Sequence, residues 1–454
     1  MKDYRLDRRT ALQGGLALAA SGLALGVKVP QSAFAAEKVA PITIVINQSP
    51  WFDGFRKLVE IYEAETGNKV TLDVNPFAGT LEKQRSSVQA KQGVFDLLPL
   101  NGLFFPEFYH GGFMLPLNEL DPAFKLDPNI LTFDDTVYWD EKSKTTNAKT
   151  GKLMAVPINP NIPLLYYRID LYEKAGLKVP ETWDELLANA KKLNAPPGVY
   201  GMVQRGARGT TDVSYDWFPY LNSFGGTMFA DEKAGDFTVT INSPAARKAL
   251  DFYLQLAKEA GHPNTGGQQQ AQVVQNVVTG KAANAIMVIA AWSQMDDPTK
   301  SAVVGKIGFA VPPHAPGFKP APPLGHFVGG IPKNVPRERQ LAALAFLKWF
   351  QTFDAQKKYA ESGSPPVRID VLRSELSNKP EGRWMKPLAD ALVYARQMWT
   401  VPEGAEIVSV LDLRLNQAVT GELNSVAALN KMAEEIHGIM QKAGYKTGRL
   451  PNLN

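Results

Sequence analysis

Short apolar runs alternating with amphipathic stretches fill most of this chain. Residues 42–46, Ile-Thr-Ile-Val-Ile, form the kind of β-branched run that makes a buried strand. Phe55, Leu58, Val59 and Tyr62 then recur at helical spacing, and Gly67 marks a stop. Further strands are expected over residues 69–74 and 95–100, with a helix rich in Lys, Gln and Ser between them. A β–α–β–α–β order predicts a parallel sheet with helical crossovers.

The stretch 151–193 has a different grammar. A run Leu153-Met154-Ala155-Val156-Pro157 is interrupted by Asn159-Pro160-Asn161-Ile162-Pro163 and resumes at Leu164-Leu165-Tyr166-Tyr167. Proline donates no ladder hydrogen bond, so this cannot be one central strand. It reads instead as an extended connector passing from one sheet to another. Thr182 with Glu185 three residues on forms a capping box, and Trp183, Leu186, Leu187, Ala190 and Leu193 follow on one helical face.

Beyond it, residues 200–203 open another strand, and the Pro-rich piece 311–323 is a long loop. Residues 381–444 have a helical pattern, with Leu411, Leu415, Val419, Leu423, Leu429, Met432 and Ile436 available for packing. Residues 118–149 are polar, rich in Asp and Lys and without periodicity, and are expected at the surface.

Several ordered segments carry a resemblance. "LLYYRIDLYEKAGL…PETWDELLANAKKL", "FRKLVEIYEAETGNKVTLDV", "INSPAARKALDFYLQLAKEAG", "VVTGKAANAIMVIAAW" and "VTGELNSVAALNKMAEEI" follow one another as in the extracellular solute-binding proteins that deliver sugars to ABC importers, the broad family of maltose-binding protein. The resemblance spans nearly all of residues 42–444. It implies an α/β, two-lobe periplasmic binding protein fold, each lobe a mostly parallel sheet flanked by helices, with three hinge crossings. "GHFVGGIPKNVP" resembles the second crossing and "SPPVRIDVL" the third. The expected division is residues 36–160 and 328–364 for the N-terminal lobe, and 161–327 and 365–454 for the C-terminal lobe. A chain of 454 residues suits such a division.

Residues 1–35 are expected to be an export signal rather than part of the fold. Arg5, Arg8 and Arg9 precede an apolar Gly/Ala-rich stretch, and Ala33-Phe34-Ala35 is an A-x-A cleavage site. The order Asp7-Arg8-Arg9-Thr10-Ala11-Leu12-Gln13 resembles a twin-arginine (Tat) signal, with Ala11 where a bulkier residue is commoner. Removing these residues takes away five basic and two acidic groups, so 49 − 5 = 44 against 45 − 2 = 43 leaves a net charge of +1. That near-balance gives no reason to invoke nucleic acid or a polyanionic ligand. With no cysteine there is neither a disulfide nor a lipid-anchoring thiol, so the expected home is the free periplasm, without a membrane anchor.

Enzyme chemistry has few tools here. The five histidines are scattered without H-E-x-x-H, and G-x-S-x-G and G-x-x-x-x-G-K-[ST] are absent. Asp134-Asp135, Asp296-Asp297 and Glu434-Glu435 are adjacent carboxylates that read as solvated charge. The resemblance implies a non-enzymatic monomer that takes no cofactor and no metal, binds a small-molecule carbohydrate in the inter-lobe cleft and delivers it to ABC permease subunits. Two rivals remain: a binder of a non-sugar solute, with a charged clamp around Arg205 or Arg368, and a periplasmic carbohydrate-active enzyme with two close carboxylates.

In open α/β sheets ligands lie beyond the carboxyl ends of strands. That rule selects Gln48 and Trp51 after the first strand, Trp51 being equally a buried helix-start anchor, and Asn101 after the third. Phe104 and Phe105 read as core. Asn159 and Asn161 sit in the first crossing, as amides for a ligand or as turn formers. Arg205 and Arg208 follow the strand at 200–203, where a planar guanidinium could bridge vicinal hydroxyls or simply face solvent. The resemblance adds Tyr215 and Trp217 before the "FGG" turn and Trp292 at the end of "AIMVIAAW", positions where relatives stack rings on sugar. It also adds His326 and Gly329 at the second crossing and Arg368 at the third. Gln48-Ser49-Pro50-Trp51 replaces the acidic/basic pair of maltodextrin-type members, and Leu100-Asn101-Gly102-Leu103 lacks their Trp-x-x-Asp. A smaller sugar, a polyol or an unusual glycoside is therefore expected over a maltodextrin.

Overall fold

The computed structural model describes residues 38–209 and 211–454. The expected export signal lies outside the described residues. β1 (Ile42–Asn47) runs parallel to β2 (Val70–Asn75), in register from Ile42 opposite Val70 to Asn47 opposite Asn75. Between them α1 (Phe52–Thr66) buries Phe55, Leu58, Val59 and Tyr62 on one face. Gly67 ends it at φ 72°, where its N–H donates to the Glu63 carbonyl, a left-handed stop that glycine adopts without a Cβ clash. After α2 (Phe77–Gln89) a parallel bridge from Ile44 to Leu97 leads into β3 (Leu98–Asn101). The expected β–α–β–α–β order is present.

Along the chain β4 (Ala155–Asn159) and β5 (Pro163–Arg168) flank the proline interruption. β6 (Asn284–Val288), β7 (Ile307–Ala310) and β8 (Phe327–Gly330) come later. One sheet has the order β3–β8–β4 and another β6–β5–β7. The connector between β4 and β5 thus passes from one sheet to the other, as its prolines predict. Pairing is more mixed than a mostly parallel sheet: β8 is antiparallel to β3 and β4, and β5 to β6 and β7. β5 and β8 are each the middle strand of their sheet, and each runs against both of its neighbours.

The strand expected at 200–203 is reduced to two parallel bridges, Tyr200 to Ala282 and Val203 to Ala285. Side chains take over the ladder there: Asn194 Oδ1 accepts the Gly201 N–H at 3.0 Å, and Asn284 Nδ2 donates to the Gly201 carbonyl at 2.9 Å. Residues 118–149 also depart from expectation. Phe124, Ile130, Phe133, Val137 and Trp139 are buried in the core. Turns deliver them, including three successive left-handed residues at Phe133, Asp134 and Asp135, so no periodicity announces their burial.

In the second lobe α3 (Trp183–Leu193) carries the predicted capping box: Glu185 N–H donates to Thr182 Oγ1 and Glu185 Oε2 accepts the Thr182 N–H. α4 (Asp212–Ser223), α5 (Pro244–Ala260) and α6 (Gln270–Val278) follow. α7 (Gly404–Val419) and α8 (Ser425–Lys442) close the chain, burying Leu411, Leu415, Leu429, Met432 and Ile436, with Val419 and Leu423 half-buried. Among the described residues no helix is long and apolar enough to cross a membrane.

Candidate ligand-binding cleft

A cavity of about 330 Å³ lies where the carboxyl ends of β1, β3 and β6 meet the first and second crossings. Its first wall is mainly backbone-determined. Residues 47–51 leave β1 and enter α1, with the Gln48 N–H donating to the Asn75 carbonyl at 2.7 Å. Trp51 fills both of its sequence readings: it is fully buried at the start of α1 and also lines the cavity. Its ring meets Phe55 edge-on at 5.6 Å and Phe327 at 5.1 Å, and its carbonyl accepts the Ser364 hydroxyl at 2.8 Å. Asn101 ends β3 with Oδ1 accepting the Leu103 N–H at 3.0 Å, which leaves its amide N–H groups for a guest. Phe77, Leu103 and Phe327 add apolar surface.

The opposite wall is built from ions. Buried Arg205 donates through Nε to Asp216 Oδ1 at 3.0 Å and through its backbone N–H to Asp216 Oδ2 at 2.9 Å. Nη1 stands 3.6 Å from Asp212 Oδ1, and the guanidinium lies 5.2 Å from the centre of the Tyr215 ring. Burial pulls the guanidinium down, and the charges of Asp216 and Asp212 outweigh it, holding Arg205 above its ordinary value and charged. Burial pushes the Asp216 carboxyl up, against the opposing pull of Arg205. Among the described residues Arg205 Nη2 is buried without a hydrogen-bond partner.

Asp212 opens α4 and also accepts the Gln270 N–H at the start of α6, at 2.8 Å. Gln269, Gln270 and Ala271 therefore reach the cavity beside Thr211 and Tyr215, with Val288 at the end of β6. At the crossings, Asn161 Oδ1 accepts the Ala290 N–H at 3.3 Å. The Tyr215 hydroxyl bonds the carbonyls of Asn161 and Pro323, each at 3.2 Å. Gln48, Trp51, Asn101, Asn161, Arg205 and Tyr215 are thus brought together.

Five expected residues are not. Trp217 is fully buried in the second-lobe core, because two residues past Tyr215 on a helix is nearly the opposite face. Trp292 stacks on Trp384 at 4.7 Å and 22° and borders an adjoining outer volume of about 720 Å³ instead. His326 points away from the cavity that its neighbours Gly325 and Phe327 line, as strand alternation requires. It is fully buried against Phe133 at 4.9 Å, its Nε2 is 2.7 Å from Thr136 Oγ1, and burial pushes its pKa down to about 3. Gly329 faces the core, where an added Cβ would lie 2.8 Å from Ile158 Cδ1. Arg368 is bound to Asp370 at 2.7 Å, Asp127 at 3.1 Å and the Gln351 carbonyl at 2.8 Å, away from the cavity. Of the weaker candidates, Arg208 is exposed, Asn159 is buried outside the cavity, and Phe104 and Phe105 are core as read.

Sequence reasoning missed Asp212, Asp216, residues 269–271 at the start of α6, Phe77 and Phe327. One signal was available: Asp212 and Asp216 stand four apart on one helical face, just after an arginine loop.

The profile of the family described as bacterial extracellular solute-binding protein matches residues 47–357. The mannitol-binding protein of Pseudomonas aeruginosa is 26% identical, over 94% of this chain and 98% of its own. A solute-binding protein of Agrobacterium radiobacter K84 solved with ribitol superposes with a TM-score of 0.77 at 24% identity, covering 88% of this chain and 99% of that one. Maltose-bound MalE3 of T. maritima superposes with a TM-score of 0.76 at 25% identity, covering 88% and 100%. With a profile spanning more than half of the chain, and a two-lobe fold shared with these structures, this protein belongs to the bacterial extracellular solute-binding proteins.

Proposed function

We propose that this chain captures one small, uncharged sugar or polyol between its lobes and hands it to the permease of an ABC importer, catalysing no reaction. The observation that carries this reading is the charge balance of the cavity. Its one cation among the described residues, Arg205, is already opposed by Asp212 and Asp216, so an anionic solute meets no net positive clamp. Arg368, the other candidate clamp for a charged ligand, is occupied by Asp127 and Asp370. Beside that ionic set the lining is amide, hydroxyl and ring: Gln48, Asn101, Asn161 and Gln270, then Ser49 and Thr211, then Trp51 and Phe327. A volume of about 330 Å³ is at the small end of the ~300–1,000 Å³ usual for ligand pockets. A mannitol-binding relative matched along nearly its whole length supports the same reading.

The lobes are proposed to divide at the three crossings, near residues 160/161, 327/328 and 364/365, and to close on the ligand by a population shift. The protein is proposed to act in the periplasm after removal of residues 1–35. The test is a thermal-shift and calorimetric screen of residues 36–454 against D-mannitol, ribitol, monosaccharides, disaccharides, polyol phosphates and amino acids. A ligand at ~100 times its Kd stabilises the native state by ~2.7 kcal/mol, a readily measured shift. Saturable binding of a neutral polyol or monosaccharide is expected. Shifts confined to amino acids or phosphates would overturn the proposal.

A further inference from the structure

Much of the second-lobe wall of the cavity is carried by two loop segments, residues 205–209 with 211–212 and residues 265–271, and neither is a strand end held by a ladder. Both are held from behind by one face of α7. Asp412 and Asn416 stand one turn apart on that helix, and both are buried. Asp412 Oδ2 accepts the N–H groups of Gly209 at 3.0 Å and Thr211 at 2.9 Å, and Oδ1 accepts that of Ser214 at 3.2 Å. Asn416 Nδ2 donates to the carbonyl of Gly206 at 2.7 Å in the first loop and of Gly266 at 3.0 Å in the second.

The loops also touch each other. A Cβ on Gly206 would lie 2.3 Å from the Thr265 carbonyl, and on the cavity side Asp212 accepts the Gln270 N–H at 2.8 Å. Thr211, between them, is held at φ 68°, ψ 15°, a left-handed conformation that a β-branched residue keeps only when its surroundings impose it. Asp412 takes the N–H of that very residue.

We infer that Asp412 and Asn416 are positioning residues of the ligand site. They never reach the cavity, yet they set where Arg205, Asp212 and Gln270 stand relative to one another. The inference rests on the proposed ligand cleft, but not on which solute fills it. Such supporting groups commonly matter by about 10- to 100-fold in affinity at metal sites, and a loss of about tenfold is expected here.

Two measurements on residues 36–454 decide it. In the ligand-free protein, Asp412→Asn is expected to speed hydrogen exchange at Gly209, Thr211 and Ser214 and also at Gln270, whose N–H bonds Asp212 rather than Asp412. By calorimetry with D-mannitol, Asp412→Asn and Asn416→Ala each raise Kd about tenfold, and the effect of Asp412→Asn shrinks in an Arg205→Ala background. Ile436→Ala, a core truncation on α8, lowers the unfolding midpoint without moving Kd and so separates positioning from stability. Exchange that quickens only at the three amides bonded to Asp412, with Kd unmoved, would overturn the inference. Should D-mannitol not bind the wild type, the exchange at Gln270 still decides the matter and the titrations use the neutral solute that the screen finds; if no neutral solute binds, it is the proposed function that falls.

Discussion

The two walls of the cavity are made by different physics. The first-lobe wall is backbone-led: residues 47–51 continue β1, Asn101 ends β3, and Phe327 lies on β8. Its backing is neutral, with His326 buried and uncharged behind Gly102. The second-lobe wall is side-chain-led, two loops held by Arg205, Asp212, Asp216 and Asp412. A strand end reaches the cleft wherever the sheet forms. An ionic wall exists only if every buried charge finds its partner, so removing one member should cost far more there.

The largest effect expected is therefore in the second wall. Asp216→Ala leaves Arg205 without its acceptors at Nε and the backbone N–H, and Tyr253, whose hydroxyl lies 3.3 Å from Asp216 Oδ2, loses a contact. Removing one partner of a buried pair costs about 3–5 kcal/mol, to be read from urea unfolding of the wild type and variant. A loss below about 1 kcal/mol would mean that Asp212 alone suffices and would erase the contrast between the walls.

The first wall should respond to acid through His326. Its pKa is about 3 in the fold against 6.5 ordinarily, so below pH 6.5 the unfolded chain binds a proton that the native state refuses. Stability is fully present above pH 6.5 and falls by up to about 1.4 kcal/mol per pH unit as the pH drops toward 3. His326→Gln should remove one proton's worth of that slope in urea titrations between pH 6.5 and 4. An unchanged slope would place a charge beside the ring that the fold does not show.

Much of the architecture was legible because it is local. The β-branched run of β1, the glycine stop at Gly67, the capping box at Thr182 and the proline-broken connector each carry their own signal, and each formed where expected. The first wall was legible for the same reason, since a strand end can be located from its strand. The second wall depends on Asp412 meeting residues some 200 positions earlier, and no local pattern encodes that meeting. Of the aromatic candidates, Trp51 and Tyr215 line the cavity, whereas Trp217 and Trp292 lie outside it, large rings that pack against Phe218 and Trp384 respectively. The polar segment 118–149 hid its core residues behind turns.

A smaller, purely local effect is expected at Asn101. Asn101→Ala removes the acceptor for the Leu103 N–H and the amide donors facing the cavity, a change of about 1 kcal/mol or roughly fivefold in the Kd for D-mannitol. The fold should be little altered, since the strand ladder of β3 with β8 is backbone-borne. A loss of a hundredfold or more would show that the first wall, too, works as a coupled network.

The smallest expected effect is at Trp292, and it tests where the ligand ends. Its indole Nε1 is buried without a partner among the described residues and its ring stacks on Trp384, so Trp292→Phe forfeits no hydrogen bond to them and keeps an aromatic face. The outer volume that it borders meets the cavity only along a collar of Gln48, Ser49, Pro50, Gln270 and Ala271. A guest confined within about 330 Å³ stays inside that collar, so the Kd for D-mannitol should hold within about twofold, as for sites without shared partners. Repeating the titration with a disaccharide sharpens the result. If Trp292→Phe weakens a disaccharide but not D-mannitol, the outer volume accepts a second unit past the collar. If it weakens both by tenfold, the two volumes are one site, and the boundary drawn at Gln48 and Gln270 is wrong.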